Sequence, residues 1–114
     1  MAKDNKYSIV EGLLYSYSTL QNRIDNADID IKLEEDERKI EQIKIEKERL
    51  ELTKKKVELM LNSLSESEKQ IIKLKYIDKL GWDQVDAKLN KLSVRQLIRE
   101  RNRIINEKLI AFIN

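Results

Sequence analysis

Arg95, Arg99 and Arg103 stand four residues apart near the end of the chain, so on a helix they form one cationic line. Gln96 lies beside the start of that line, Arg101 flanks it, and Lys91 and Ser93 precede it. Arginine grips guanine through a two-pronged hydrogen bond to O6 and N7, and glutamine can hold adenine in the same way. The first turns of such a helix are the part that enters a major groove. A charged line is more often only a solvated face. Here Glu100 is the single acid between Arg95 and Arg103, so the chemistry points to duplex DNA. Lys91, Ser93, Arg95, Gln96, Arg99, Arg101 and Arg103 are the candidate contacts.

Three short helices are needed to present that line. Ser65 with Glu68 three residues on makes a capping box, which satisfies two backbone N–H groups at a helix start. Ile71, Ile72, Leu74 and Tyr76 follow, with Lys69, Lys73 and Lys75 between them, so one face is buried and the other wet. Asp78, Lys79 and Gly81 end this helix, with glycine expected to supply the left-handed stop. Trp82, Val85 and Leu89 share one side of a second helix, too short to stand without neighbours. Residues 90–92 turn the chain, and Ser93 caps the last helix. The pattern is a helix-turn-helix with one helix in front.

The run from Leu64 to Tyr76, then Trp82, then Ser93-Val-Arg-Gln-Leu and Arg99-Glu-Arg-Asn-Arg-Ile-Ile resembles the C-terminal domain of the ArpU/RinA-like phage transcriptional regulators. Their helix-turn-helix is in turn similar to region 4 of sigma-70 factors. The likeness covers the last 50 or so residues, with weaker support from Leu14-Tyr15-Ser16-Tyr17. It implies a phage or prophage protein, in the cytoplasm of a Gram-positive host, that activates late genes by binding DNA near a promoter. It also implies that Arg95, Gln96 and Arg99 are recognition positions and that Trp82 is a packing position. Two features depart from the family's pattern. Asp86 stands where a small alanine is usual, with Ala87 one residue later, and the spacing from Trp82 to Ser93 is one residue longer.

The first half of the chain reads differently. Val10, Leu13, Tyr17, Leu20, Ile24, Ala27 and Ile31 alternate by three and four, the seam of a helix that packs on another helix. Gly12 in this stretch suggests a close approach. Tyr7, Tyr15 and Tyr17 are read as packing residues with a wet hydroxyl rather than as stacking platforms for bases. The seam stops at Glu34-Glu35-Asp36-Glu37. A second one follows in Ile40, Ile43, Leu50, Val57, Leu61 and Leu64, with Lys47 and Lys54 in two of its apolar places. Ile45, Leu52 and Leu59 make a parallel line seven apart. Two segments of nearly equal length favour an antiparallel hairpin over one continuous helix of about 85 Å. The fold expected is therefore all-α: a long helical hairpin or coiled coil over residues 1–63, then a three-helix DNA-binding unit over residues 64–114. Residues up to about Asn5 are expected to be frayed.

Composition narrows the function. The 114 residues hold no cysteine and no histidine. The commonest general base, the thiol nucleophile and the usual transition-metal ligands are therefore missing. Neither an enzyme nor a cofactor is expected. Two glycines and no proline leave long helices uninterrupted. No apolar run approaches the roughly 20 residues of a membrane span. Residues 65–114 carry 11 basic and 7 acidic side chains, whereas residues 1–64 carry 12 and 14. Phosphate neutralisation dominates nucleic-acid affinity, so the basic half is the binding half. Double-stranded DNA is the expected partner, with a homodimer through the N-terminal helices to multiply a weak single contact. Two alternatives are an interaction module that engages RNA polymerase or another host protein, and a DNA-packaging adaptor.

Overall fold

In the computed structural model, residues 5–90 and 93–114 are described and are helical almost throughout. Helix α1 spans Asn5–Leu33, α2 Glu37–Asn62, α3 Glu66–Ile72, α4 Trp82–Leu89 and α5 Val94–Ile104. α3 widens into a π-type turn over Lys73–Ile77, and α5 does the same over Ile105–Leu109 before a last tight turn at Ile110–Phe112. The expected frayed start, residues 1–4, lies outside the described residues.

α1 and α2 form an antiparallel hairpin, closed at residues 34–36. Two of the four acids at its tip do local work. Asp36 caps α2 by accepting from the Arg38 N–H at 2.9 Å, and Glu34 accepts from the N–H groups of Glu35 and Asp36 at 3.2 Å. Leu20, Ile24 and Leu50 make the core of the shaft. The two lysines that interrupt the second seam find polar partners across it: Lys47 pairs with Asp28 at 2.6 Å, and Lys54 donates to Gln21. The hydrogen bond to Asp28 also raises the pKa of Lys47. A helix-to-helix seam thus tolerates cations because the long lysine stems lie along apolar surface while their heads reach the edge.

At its open end the hairpin merges with the C-terminal helices. Tyr7, Val10 and Leu14 from α1 and Val57 and Met60 from α2 join Ile72, Tyr76, Ile104, Ile105 and Leu109 in one buried cluster. The chain therefore divides into a hairpin and a C-terminal unit by element, while its principal core crosses that line. A second, smaller cluster holds α3, α4 and α5 together through Ile71, Val85 and Leu97, with Leu74, Leu80, Trp82 and Leu89 around it. The molecule measures 55 × 31 × 25 Å.

Two glycine expectations are corrected. Gly81 has φ −70° and sits at the start of α4, where its N–H donates to Gln84 Oε1 at 3.0 Å. The left-handed residue that stops α3 is Lys79, φ 58°. The Leu80 N–H reaches back to the Leu74 carbonyl at 3.1 Å, the returning hydrogen bond of a Schellman-like stop, and both leucines pack against the small core. Gly12 shows no close approach, since a Cβ there would meet nothing within 4 Å.

Candidate nucleic-acid interface

The end of α4 and the start of α5 set the geometry of the candidate site. α4 closes at Asn90, which takes the left-handed φ of 48° and donates its N–H to the Asp86 carbonyl at 2.7 Å. Asparagine adopts this conformation more readily than most residues. α5 then opens on Ser93, whose Oγ accepts from the Gln96 N–H at 3.2 Å while Gln96 Oε1 accepts from the Ser93 N–H at 3.2 Å. This reciprocal box fixes the first turn. It also engages the Gln96 side-chain oxygen, leaving the amide nitrogen as the group that can face outward. Lys91, between the two helices, lies outside the described residues.

Arg95 and Arg99 are exposed on successive turns of α5, about 6 Å apart along the helix. Neither enters an ion pair or side-chain hydrogen bond among the described residues. Leu97, fully buried against Val85 and Ile71, anchors the opposite face of the helix and so turns these two guanidiniums outward. Asn106 continues the exposed side about two turns further on, seven residues after Arg99. The repeat of four that links Arg95, Arg99 and Arg103 had concealed it, because 3.6 residues per turn carries the wet face back from Arg103 towards Asn102 and Asn106.

The other two arginines of α5 are held by side chains of this chain. Arg101, 16% exposed, donates to Tyr76 Oη at 3.0 Å and to Asn102 Oδ1 at 2.8 Å and pairs with Glu11 at 3.6 Å. Its guanidinium lies 5.2 Å from the Trp82 ring, with the Lys75 ammonium 5.0 Å from the same ring. Trp82 thus takes two cations as well as packing against the small core. Tyr76 Oη donates to Glu11 Oε2 at 2.7 Å, and Tyr7 Oη donates to Asn102 Oδ1 at 2.8 Å. Burial, followed by the hydrogen bond to Glu11, pushes the Tyr76 phenol far up from its ordinary value.

Arg103 belongs to an acidic knot. Its guanidinium pairs with Glu68 at 2.7 Å, with Glu107 at 3.4 Å and with Glu100, and Lys108 reaches the other Glu68 oxygen at 2.7 Å. Glu68 is buried and also receives the Ser65 N–H at 2.9 Å. The Lys108 hydrogen bond, then those from the Ser65 backbone and Arg103, hold its carboxyl down at about 2. Glu100 and Glu68 in turn push Arg103 far up. The capping glutamate foreseen at the start of α3 is therefore also the bolt between α3 and α5. Its second role was hidden because its partners lie 35 and 40 residues away.

Of the seven candidate contacts, the structure brings together Ser93, Arg95, Gln96 and Arg99 on one exposed end of α5. Arg101 and Arg103 are occupied with side chains of this chain.

Residues 15–109 match the model of a family described as Protein of unknown function (DUF722). The chain belongs to that family. No curated protein and no solved structure matches it. No helix among the described residues is long and apolar enough to cross a membrane.

Proposed function

We propose that this DUF722 protein is a sequence-specific DNA-binding regulator of transcription, of the phage late-gene activator type, whose α5 enters the major groove. The observation that carries the reading is the contrast along one helix. Arg101, Arg103 and Lys108 are consumed by internal partners, whereas Arg95 and Arg99, at the N-terminal turns, are exposed and have no such partners among the described residues. Arginines left free on a rigidly capped helix start are what base readout uses. The resemblance of Ser93-Val-Arg-Gln-Leu to the ArpU/RinA-like regulators, and through them to sigma-70 region 4, supports the same end of the same helix. In this reading α4 lies across the backbone, exposed Lys88 on α4 meets phosphate, and Gln96 offers its amide nitrogen to a base edge.

Selection of bound sequences from random duplex DNA tests the proposal directly. A recovered motif is expected. Arg95→Ala and Arg99→Ala should each then cost about 1–3 kcal/mol of specific affinity and relax preference at separate positions. Unselective recovery, or unchanged affinity in both variants while the fold is intact, refutes it. Capture of RNA polymerase or another host protein that survives nuclease treatment, with no DNA motif, would assign α5 to a protein partner instead.

A further inference from the structure

α2 has a face that the hairpin does not use. Leu50 and Val57 are buried and meet the rest of the protein, while Ile45, Leu52 and Leu59 are 53%, 63% and 53% exposed. These three lie seven residues apart, so they form one line down the helix on the side away from α1. A line of large aliphatics at this spacing is half of a helix-to-helix seam. Beside it runs a second line at the same spacing, Glu41, Glu48 and Lys55, all exposed. None of these three enters an ion pair among the described residues.

We propose that these two lines are the interface of a homodimer in which α2 packs antiparallel against the α2 of a second copy. Charge complementarity selects both the occupant and the direction. α2 runs from Glu37 to Asn62. Reversed about its own midpoint, it sets level those residues whose numbers add to about 100. The aliphatics of the two copies then interleave into one unbroken ridge, with the two Leu52 side chains at its centre and Ile45 of each copy between Leu52 and Leu59 of the other. On the neighbouring ridge Lys55 of each copy falls between Glu41 and Glu48 of the other. A parallel pair in register would instead oppose Glu48 to Glu48 and Lys55 to Lys55, and like charges in facing positions repel. The antiparallel pairing also stays within the length of α2. Arg49 lies near its own copy on the outer flank, which loosens the contact and makes the dimer reversible. This inference does not depend on whether the protein meets DNA.

Sedimentation of the full chain across low to high micromolar concentration tests the proposal. The mass is expected to rise from 13.6 kDa towards twice that value, and Leu52→Glu, at an exposed position, is expected to remain a folded monomer throughout. Lys55→Glu should weaken the dimer by roughly tenfold or more, because each copy then meets only glutamates. Glu41→Lys and Glu48→Lys added to it should restore pairing. The chain has no cysteine, so direction is read by cross-linking. A disulfide between an Ile45→Cys chain and a Leu59→Cys chain supports the antiparallel pair, whereas a disulfide between two Ile45→Cys chains overturns it. Wild-type protein that stays at single-chain mass, or a Leu52→Glu variant that still dimerises, also overturns the proposal.

Discussion

Glu68 serves two helices at once. It completes the cap of α3, receives a guanidinium and an ammonium from α5, and is buried while doing so. Its carboxyl is held at about 2 against an ordinary 4.5, so its contribution to stability is fully present above about pH 4.5 and is lost as the pH falls towards 2. Glu68→Gln is expected to cost about 1–3 kcal/mol near neutrality. The difference in melting temperature between wild type and variant should shrink through that acid window, which calorimetry from pH 7 to 2 would measure. A difference that stays constant would show that the ion pairs contribute nothing. The capping role was legible in Ser65 and Glu68 because it is local. The clasp was not, because nothing in the spacing says that Arg103 and Lys108 come back to α3. For the same reason the exposed state of Arg95 and Arg99 could be anticipated only as part of a longer stripe: an arginine reads the same in sequence whether water or a distant carboxylate receives it.

Among the elements, the α3 stop shows how a sequence signal can mark the right place and the wrong residue. Glycine in the run Asp78-Lys79-Leu80-Gly81 promises the left-handed stop, yet the geometry needs Leu80 to fold back on Leu74, and this puts Lys79 at φ 58°. A lysine there carries a steric cost that glycine avoids. Lys79→Gly is therefore expected to stabilise the protein by about 0.5–1 kcal/mol, because the native conformation is left-handed. Urea unfolding would register the shift, and a loss of stability would mean that the Lys79 side chain makes an unseen contribution. The hairpin itself was readable from its two seams and the acidic break between them, although Leu14, and not the Leu13 of the first seam, is the residue that is wholly buried. Which lysine would meet which carboxamide or carboxylate across it was beyond reach, because register depends on the loop at residues 34–36.

At the scale of the molecule, the shared core makes hairpin and C-terminal unit one cooperative body. Leu14 is wholly buried where α1 meets α2 and the C-terminal helices, so Leu14→Ala is expected to cost about 2–5 kcal/mol. Trp82, the single tryptophan, reports on the C-terminal unit, while helical circular dichroism is weighted towards the hairpin. The two signals should shift together in this variant. Separate transitions would refute a common core. The sequence concealed this union, because the seam read in α1 takes in Val10 but neither Tyr7 nor Leu14, and nothing in its order shows that these three meet the C-terminal helices.

The latch between Tyr7 and Asn102 has a consequence for how the protein is made. During synthesis the shaft of the hairpin can close before the base, since its cluster of Leu20, Ile24 and Leu50 takes nothing from the C-terminal helices. Its base cannot, because Val10, Leu14, Val57 and Met60 are covered by side chains from Ile104 to Leu109. A nascent chain therefore carries an unfinished root until residues 104–109 have been made, and Tyr7 waits on Asn102.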